Sequence, residues 1–368
     1  MDSLRGLMAG WVFLSHVCFL AGLKGGPFSL IAMGGPAVTV FIILSGFAIT
    51  ISLLRSQAGY SDYIARRFFR IYPVYLVGLA MGLATSFAYP DLLQSLDWVD
   101  PTSVDRIDLR TEGEADAFWL HLAAHLTLLH GIIPDNILYG SALTFNGVLW
   151  SLSLEWQFYL VAPLLVAGLI HAPRNWSLFI TIVAIVALAP LVLSKYYTQV
   201  PSFLPPVLGW FAVGILSGAF YERLKDNKEV LLTAAFLIVG VGAMSSKLTV
   251  VLPICIWVAC YVLAREKSLP GARPFNYILS HKWLIAAGER SYGFYLFHMP
   301  VLIVWAIALE ELGLAENKYL FAALLMPASV VCLVLAWISY DHLEMRITKW
   351  AGKKFRSPKP ALSPAATA

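Results

Sequence analysis

The 368-residue sequence predicts an all-α polytopic membrane protein, a bundle of about ten transmembrane helices with both termini in the cytoplasm. Three observations carry that prediction. Hydrophobic residues make up 59% of the chain and charged ones only 13%, about half the charged share of a soluble domain. The apolar residues fall in long blocks, many near the roughly 20 residues that a helix needs to cross a bilayer, and not in the short alternating segments of a barrel. The basic residues gather in alternate loops.

In order, the blocks are 4–22, 33–53, 70–89, 150–170, 176–193, 204–221, 229–245, 248–264, 291–309 and 319–340. The first is followed by further blocks, so it reads as a span and not as a removable signal peptide. The loop after the second block carries Arg55, Arg66 and Arg67, with Arg70 at its end; the 265–290 loop carries Arg265, Lys267, Arg273, Lys282 and Arg290; the stretch after the last block carries Lys349, Lys353, Lys354, Arg356 and Lys359. With ten spans all three lie on one side. The other side receives the carboxylate-rich 90–147 loop and Glu310, Glu311 and Glu316. The positive-inside rule then places both termini in the cytoplasm. The net charge of +4 is by the same logic a topology signal and not a nucleic-acid footprint. Residues 117–133, AFWLHLAAHLTLLHGII, are short and carry three histidines; they read as an interfacial or re-entrant helix on the outer side. The chain divides into an integral membrane domain, 1–345, and a basic, disordered cytoplasmic tail, 346–368, whose end is rich in Pro, Ala and Ser.

Ionisable groups inside spans cost a few kcal/mol each, so each is a functional candidate. Arg5 and His16 are eleven steps apart, which at 100° per step brings them within 20° of one face and roughly 16 Å apart along the axis. Asp2 can pair with Arg5 across one turn. Taken alone, Arg5 also reads as a snorkelling anchor and His16 as a core histidine bonded between helices. Arg67 and Arg70, with Arg66 beside them, form a fork suited to phosphate, or simply mark a basic helix end. Glu155 sits in span four, where a carboxylate at a helix start can also face the dipole. Ser291, Tyr295 and His298 form one stripe in SYGFYLFHMP, with Pro300 expected to kink the helix after them; bonds between packed helices are the plainer account of the stripe. His121 and His125 are one turn apart, but one such box without a carboxylate is not expected to hold metal, and a polar face of an interfacial helix is the expected reading. Cys18, Cys255, Cys260 and Cys332 all lie in apolar blocks and read as small core residues.

Five stretches in order, MDSLRGLMAGWVFLSH, VFIILSGFAI, RRFFRIYPVYL, NGVLWSLSLEWQFYLVAP and SYGFYLFHMPV, make nearly the whole chain resemble the membrane-bound acyltransferase family 3. The resemblance implies acyl transfer, most often of acetyl, from cytoplasmic acyl-CoA to a hydroxyl of a carbohydrate or other cell-envelope or small-molecule acceptor, in a bacterial cytoplasmic (inner) membrane. Acyl-CoA is then a co-substrate, with no bound cofactor and no metal. Motif by motif, it places the family's Arg-x10-His on Arg5 and His16, its Arg-x2-Arg on Arg67 and Arg70, its Trp-Ser-Leu-Ser-x-Glu carboxylate on Glu155, and its Tyr-Leu-x-His on Tyr295 and His298. On that basis Arg5, Arg66, Arg67 and Arg70 are expected to hold the coenzyme. His16 is expected to act as general base or acyl carrier. Glu155 is expected to accept the other ring proton of His16, with Ser151 bonding Glu155, and Ser291, Tyr295 and His298 to line the acceptor or carbonyl side. Here Asp2 stands second, and Glu344-Met345 replaces the Glu-Pro pair common after the last span. The tail is too short for the appended esterase domain of many relatives, so transfer is expected to finish in the membrane domain or on a separate protein. A transporter or flippase is the alternative, but no inverted repeat is visible. An inactive binding relative would have lost motif residues, and a metal oxygenase needs several histidine boxes.

Overall fold

The structure, a computed structural model, describes residues 1–56, 58–170, 176–197, 199–221, 235, 239–240 and 247–355. In order the longer helices are α1 (Asp2–Leu20), α2 (Gly35–Leu54), α3 (Tyr60–Thr85), α4 (Tyr89–Ser95), α5 (Pro101–Asp116), α6 (Phe118–Leu126), α7 (Trp150–Ile170), α8 (Trp176–Leu193), α9 (Leu204–Ala219), α10 (Leu248–Arg265), α11 (Ala272–Leu279), α12 (Lys282–Glu289), α13 (Ser291–Glu311), α14 (Lys318–Leu325), α15 (Ala328–Ser339) and α16 (Met345–Lys354), the last two joined by a π-helical turn, Tyr340–Glu344. Among the described residues every regular element is helical. Among the described residues six stretches are long and apolar enough to cross a membrane: Asp2–Leu20, Gly35–Leu54, Tyr60–Ser95, Leu248–Arg265, Ser291–Glu311 and Lys318–Lys354. The block expected at 229–245 falls almost wholly outside the described residues.

Glycine sets the closest crossings. A Cβ on Gly214 of α9 would strike the Ile43 carbonyl oxygen of α2, and one on Gly46 would strike that of Phe211. Small residues let two backbones touch where lipid offers no hydrophobic drive. Gly288 of α12 likewise admits the Asp2 carbonyl of α1, beside the bond from Ser3 Oγ to the Leu279 carbonyl.

Helix α13 is the most buried of the six, packed against α1, α3, α4 and α15. Pro300 lies inside it and cannot donate to the Leu296 carbonyl four residues back. Asn146 Nδ2 supplies that bond at 3.0 Å and also donates to the Gly78 carbonyl of α3 at 3.1 Å, tying three segments together.

Helix α3 begins ten residues before the expected span and carries Arg66, Arg67 and Arg70 inside it, not at its start. The first residues of the expected disordered tail are helical in α16, held to α3 by Phe69 against Trp350 at 5.0 Å; residues 356–368 lie outside the described residues.

Segment 89–149 folds over one end of α3 and α13. Its α6 has nine residues, about 14 Å of rise, too little to cross a bilayer. The expectation of a polar histidine face on this helix is reversed. His121, His125 and His130 are fully buried, whereas Trp119 is 77% exposed and Leu120 66%. The imidazoles find partners inside: His125 stacks on His130 with ring centroids 4.0 Å apart, His130 Nε2 lies 3.2 Å from the Leu149 carbonyl, and His121 Nδ1 is 3.1 Å from Thr144 Oγ1. Burial pushes His130 down to about 4 and His125 well below the usual range, so both stay neutral at pH 7.

Candidate active site

A cavity of about 320 Å³ opens between α1, α2, α3, α7 and α13. Arg5, Arg67 and Arg70 line it, with Glu155 and Glu344. Arg5 pairs with Asp2 at 3.1 Å, as their spacing predicts. Arg67 and Arg70 share a face because three residues make nearly one turn. Arg67 Nη2 donates to Ser52 Oγ at 2.7 Å, and its guanidinium lies over the rings of Tyr63 and Tyr159 at 5.5 and 5.7 Å. Arg70 has no hydrogen bond or ion pair among the described residues, so its donors are free for a ligand. Among the described residues Arg66 reaches only Ser56 Oγ, at 3.5 Å, and it is not in the lining. Its expected place with the other two fails, because the residue before Arg67 on a helix points about 100° away.

A second cavity, about 210 Å³, is lined by His16, Arg110, Glu114, Asn146, Tyr89 and Thr85, among others, and shares no lining residue with the first. Glu114 is 1% exposed; its two oxygens accept from Ser86 Oγ at 2.7 Å and from the Phe145 backbone N–H at 3.1 Å. Phe145 has a left-handed backbone, φ 61°, which turns that N–H toward the carboxylate. Burial raises the Glu114 carboxyl, opposed by those two hydrogen bonds.

At the second cavity, which His16 lines, stands an imidazole pair whose other member, His298, is buried and lines neither cavity. His298 Nδ1 is 2.6 Å from the Tyr295 carbonyl and must donate there, which leaves Nε2 as a lone pair in the neutral ring. His16 Nδ1 is 2.9 Å from the Val12 carbonyl and 3.1 Å from His298 Nε2; its N–H is shared between them. This assignment of protons, made from the partners, leaves His16 Nε2 with a free lone pair.

The expected contact between Glu155 and His16 does not form. Glu155 Oε1 accepts from Ser45 Oγ at 3.0 Å and from Tyr159 OH at 2.5 Å, inside the arginine cavity, and His298 takes the place beside His16. Ser151 Oγ donates to Tyr295 OH at 2.9 Å and not to Glu155. Ser291 and Tyr295 line the arginine cavity and not an opposite side; Ser291 Oγ is spent on the Gly288 carbonyl at 2.7 Å. The stripe of α13 thus splits, because Tyr295 and His298 are nearly a turn apart along a helix that crosses the wall. Ser45, Tyr159, Glu344, Arg110, Glu114 and Asn146 were not expected in the lining. The i, i+4 pair Arg110 and Glu114 was the visible signal, hidden in a loop whose charges read as topology.

The family profile described as an acyltransferase domain matches residues 1–341. The chain belongs to this family. It is an acyltransferase, and its apolar helices are those of an integral membrane protein. The acyltransferase is similar to nodulation protein 10 of Rhizobium leguminosarum bv. viciae, 24% identical over 85% of this chain and 82% of that protein. It is also similar to acyltransferase MdmB of Streptomyces mycarofaciens, 26% identical over 82% of this chain and 78% of that one. O-acetyltransferase OatA of Staphylococcus aureus is 22% identical over 86% of this chain, which spans about half, 53%, of its length. No solved structure matches the acyltransferase.

Proposed function

We propose that the enzyme moves an acyl group, acetyl foremost, from acyl-CoA in the arginine cavity to a hydroxyl of a carbohydrate or other cell-envelope acceptor in the second cavity. The observation that carries this reading is the His16–His298 pair at the second cavity, with a separate cavity lined by Arg5, Arg67 and Arg70 on the other stretch of α13. Arg5, Arg67 and Arg70 bind the coenzyme phosphates through charge-assisted bonds. Glu155, held by Ser45 and Tyr159, offsets part of their charge and keeps Arg67 stacked on Tyr159. The pantetheine arm presents the thioester to the wall. His16 Nε2 takes the proton of the incoming hydroxyl as its oxygen bonds the thioester carbonyl carbon. The tetrahedral intermediate collapses with cleavage of the C–S bond, and the departing thiolate recovers the proton from His16. His298 Nε2 accepts from His16 Nδ1–H throughout, fixing the tautomer and easing the imidazolium.

The relatives named an O-acetyltransferase and an exopolysaccharide production protein support an O-acetyl product on a glycan. The charge asymmetry of the loops supports about ten crossings, cytoplasmic termini and a cytoplasmic arginine cavity, in a bacterial inner membrane. The test is thiol release from acetyl-CoA by the full chain in nanodiscs, with and without envelope glycans, read with mass spectrometry of the glycans from cells with and without the gene. An acetyl increment on one glycan class, absent in cells with His16→Ala, is the expected result. Transfer at the wild-type rate by His16→Ala would remove the base from the mechanism.

A further inference from the structure

The second cavity holds an unused cation. Arg110 lines it together with His16, yet among the described residues Arg110 makes no hydrogen bond and no ion pair. Its neighbour one turn on, Glu114, attracts it through space but forms no ion pair with it among the described residues; the Glu114 oxygens accept from Ser86 and Phe145. The Arg110 stem is held in place: Gly140, with φ 64°, packs so closely that a Cβ there would lie 2.8 Å from Arg110 Cγ. A guanidinium with a fixed stem, free donors and a cavity in front of it is a preorganised receptor for an oxyanion. Aromatic surface from Tyr89, Phe19 and Phe145 and the polar groups of Thr85 and Asn146 complete a lining suited to a sugar ring.

We infer that the second cavity selects an acidic acceptor, a sugar that carries a carboxylate or a phosphate near the hydroxyl to be acylated, and that Arg110 is its specificity-determining residue. The inference rests on the reading of this cavity as the acceptor side. Oxyanion and guanidinium pair at the far end, and that pairing aims the hydroxyl at His16 Nε2. The pair also removes the cost of a charged donor set facing an apolar wall of Ile107, Met299 and Ile303.

Binding tests the inference without turnover. The full chain in nanodiscs is dialysed to equilibrium against radiolabelled glucuronate, glucose 6-phosphate and glucose. At least one of the two anionic sugars should bind about tenfold or more tighter than glucose, the scale of one charge-assisted pair, and which one does so separates carboxylate from phosphate. The preference should vanish in Arg110→Gln, persist in part in Arg110→Lys, and survive Arg70→Gln, which alters the other cavity. Equal binding of all three sugars by the wild type overturns the inference, whether or not the variants fold. So does a preference that survives Arg110→Gln or is lost in Arg70→Gln. Thiol release from acetyl-CoA in the same nanodiscs is scored separately. Anion preference without thiol release would leave the acidic site standing and count against the donor assignment; thiol release without anion preference would do the reverse.

Discussion

His16 Nδ1 has two takers for its proton, the Val12 carbonyl and His298 Nε2, and that sharing frees the opposite nitrogen. Replacing His16 by Ala should lower kcat by about 10²–10⁴, the usual worth of a positioned base. His298→Gln should lower kcat less, leave the acyl-CoA KM unchanged and shift the acid limb of the pH–rate profile, because only the basicity and orientation of His16 change. An unmoved profile would reduce His298 to a packing residue. Glu155 behaves differently. It touches Ser45 and Tyr159 and not an imidazole, so Glu155→Gln should raise the acyl-CoA KM and leave the pH profile in place. A shifted profile in steady-state kinetics would contradict that placement. The individual functional groups were legible in the sequence because ionisable side chains are rare in apolar blocks. Their pairing was not. Helix periodicity fixes which residues share a face, but which neighbour that face meets depends on packing between distant segments. His298 and Glu155 were both within reach of His16 on spacing alone.

At the level of elements, Asn146 and Pro300 form a matched pair. The proline leaves the Leu296 carbonyl without a helical donor, and the Asn146 amide replaces it from another segment. Asn146→Ala should destabilise the bundle by about 1–3 kcal/mol, the cost of an orphaned buried carbonyl, and lower the melting temperature; an unchanged melting curve would mean that water or another donor serves equally well. The 89–149 segment carries its own dependence on acidity. Above pH 6.5 His130 is neutral both folded and unfolded. Below it the unfolded chain takes up the proton first, because burial depresses the folded value to about 4. The stabilisation is therefore present above 6.5 and is lost as pH falls toward 4. Hydrogen exchange of the α6 amides should quicken over that interval, and an exchange rate that is flat once corrected for intrinsic chemistry would refute it. Most helices were readable from hydrophobic blocks. The interior of this segment was not, because its histidines turn inward and its tryptophan outward, the reverse of the rule learned from water-soluble surfaces. The early start of α3 was missed for a related reason: its first turns are amphipathic and carry the arginines.

Across the whole molecule, two cavities with no shared lining residue lie along α13: Ser291, Tyr292 and Tyr295 line one, Met299, Pro300 and Ile303 the other, and His298 lies between those two sets. On the proposed assignment of donor and acceptor, both substrates would be held at once. Initial rates with acyl-CoA and acceptor varied together should give intersecting double-reciprocal lines, the pattern of a ternary complex. Parallel lines would indicate a covalent acyl-enzyme and make His16 a carrier instead of a base. The helical class and membrane character were evident from composition alone. The division into two chambers was not, because it depends on how α13, the 89–149 segment and α1 close around one another.

One feature of α13 reaches further. This buried helix presents Tyr295 to one hollow and Met299 to the other, with His298 buried between them. Nothing larger than the migrating acyl fragment has to pass that septum. With the proposed donor and acceptor, coenzyme and glycan would each stay in the compartment where they arrived, and an ion gradient across the bilayer would be left undrained by every turnover.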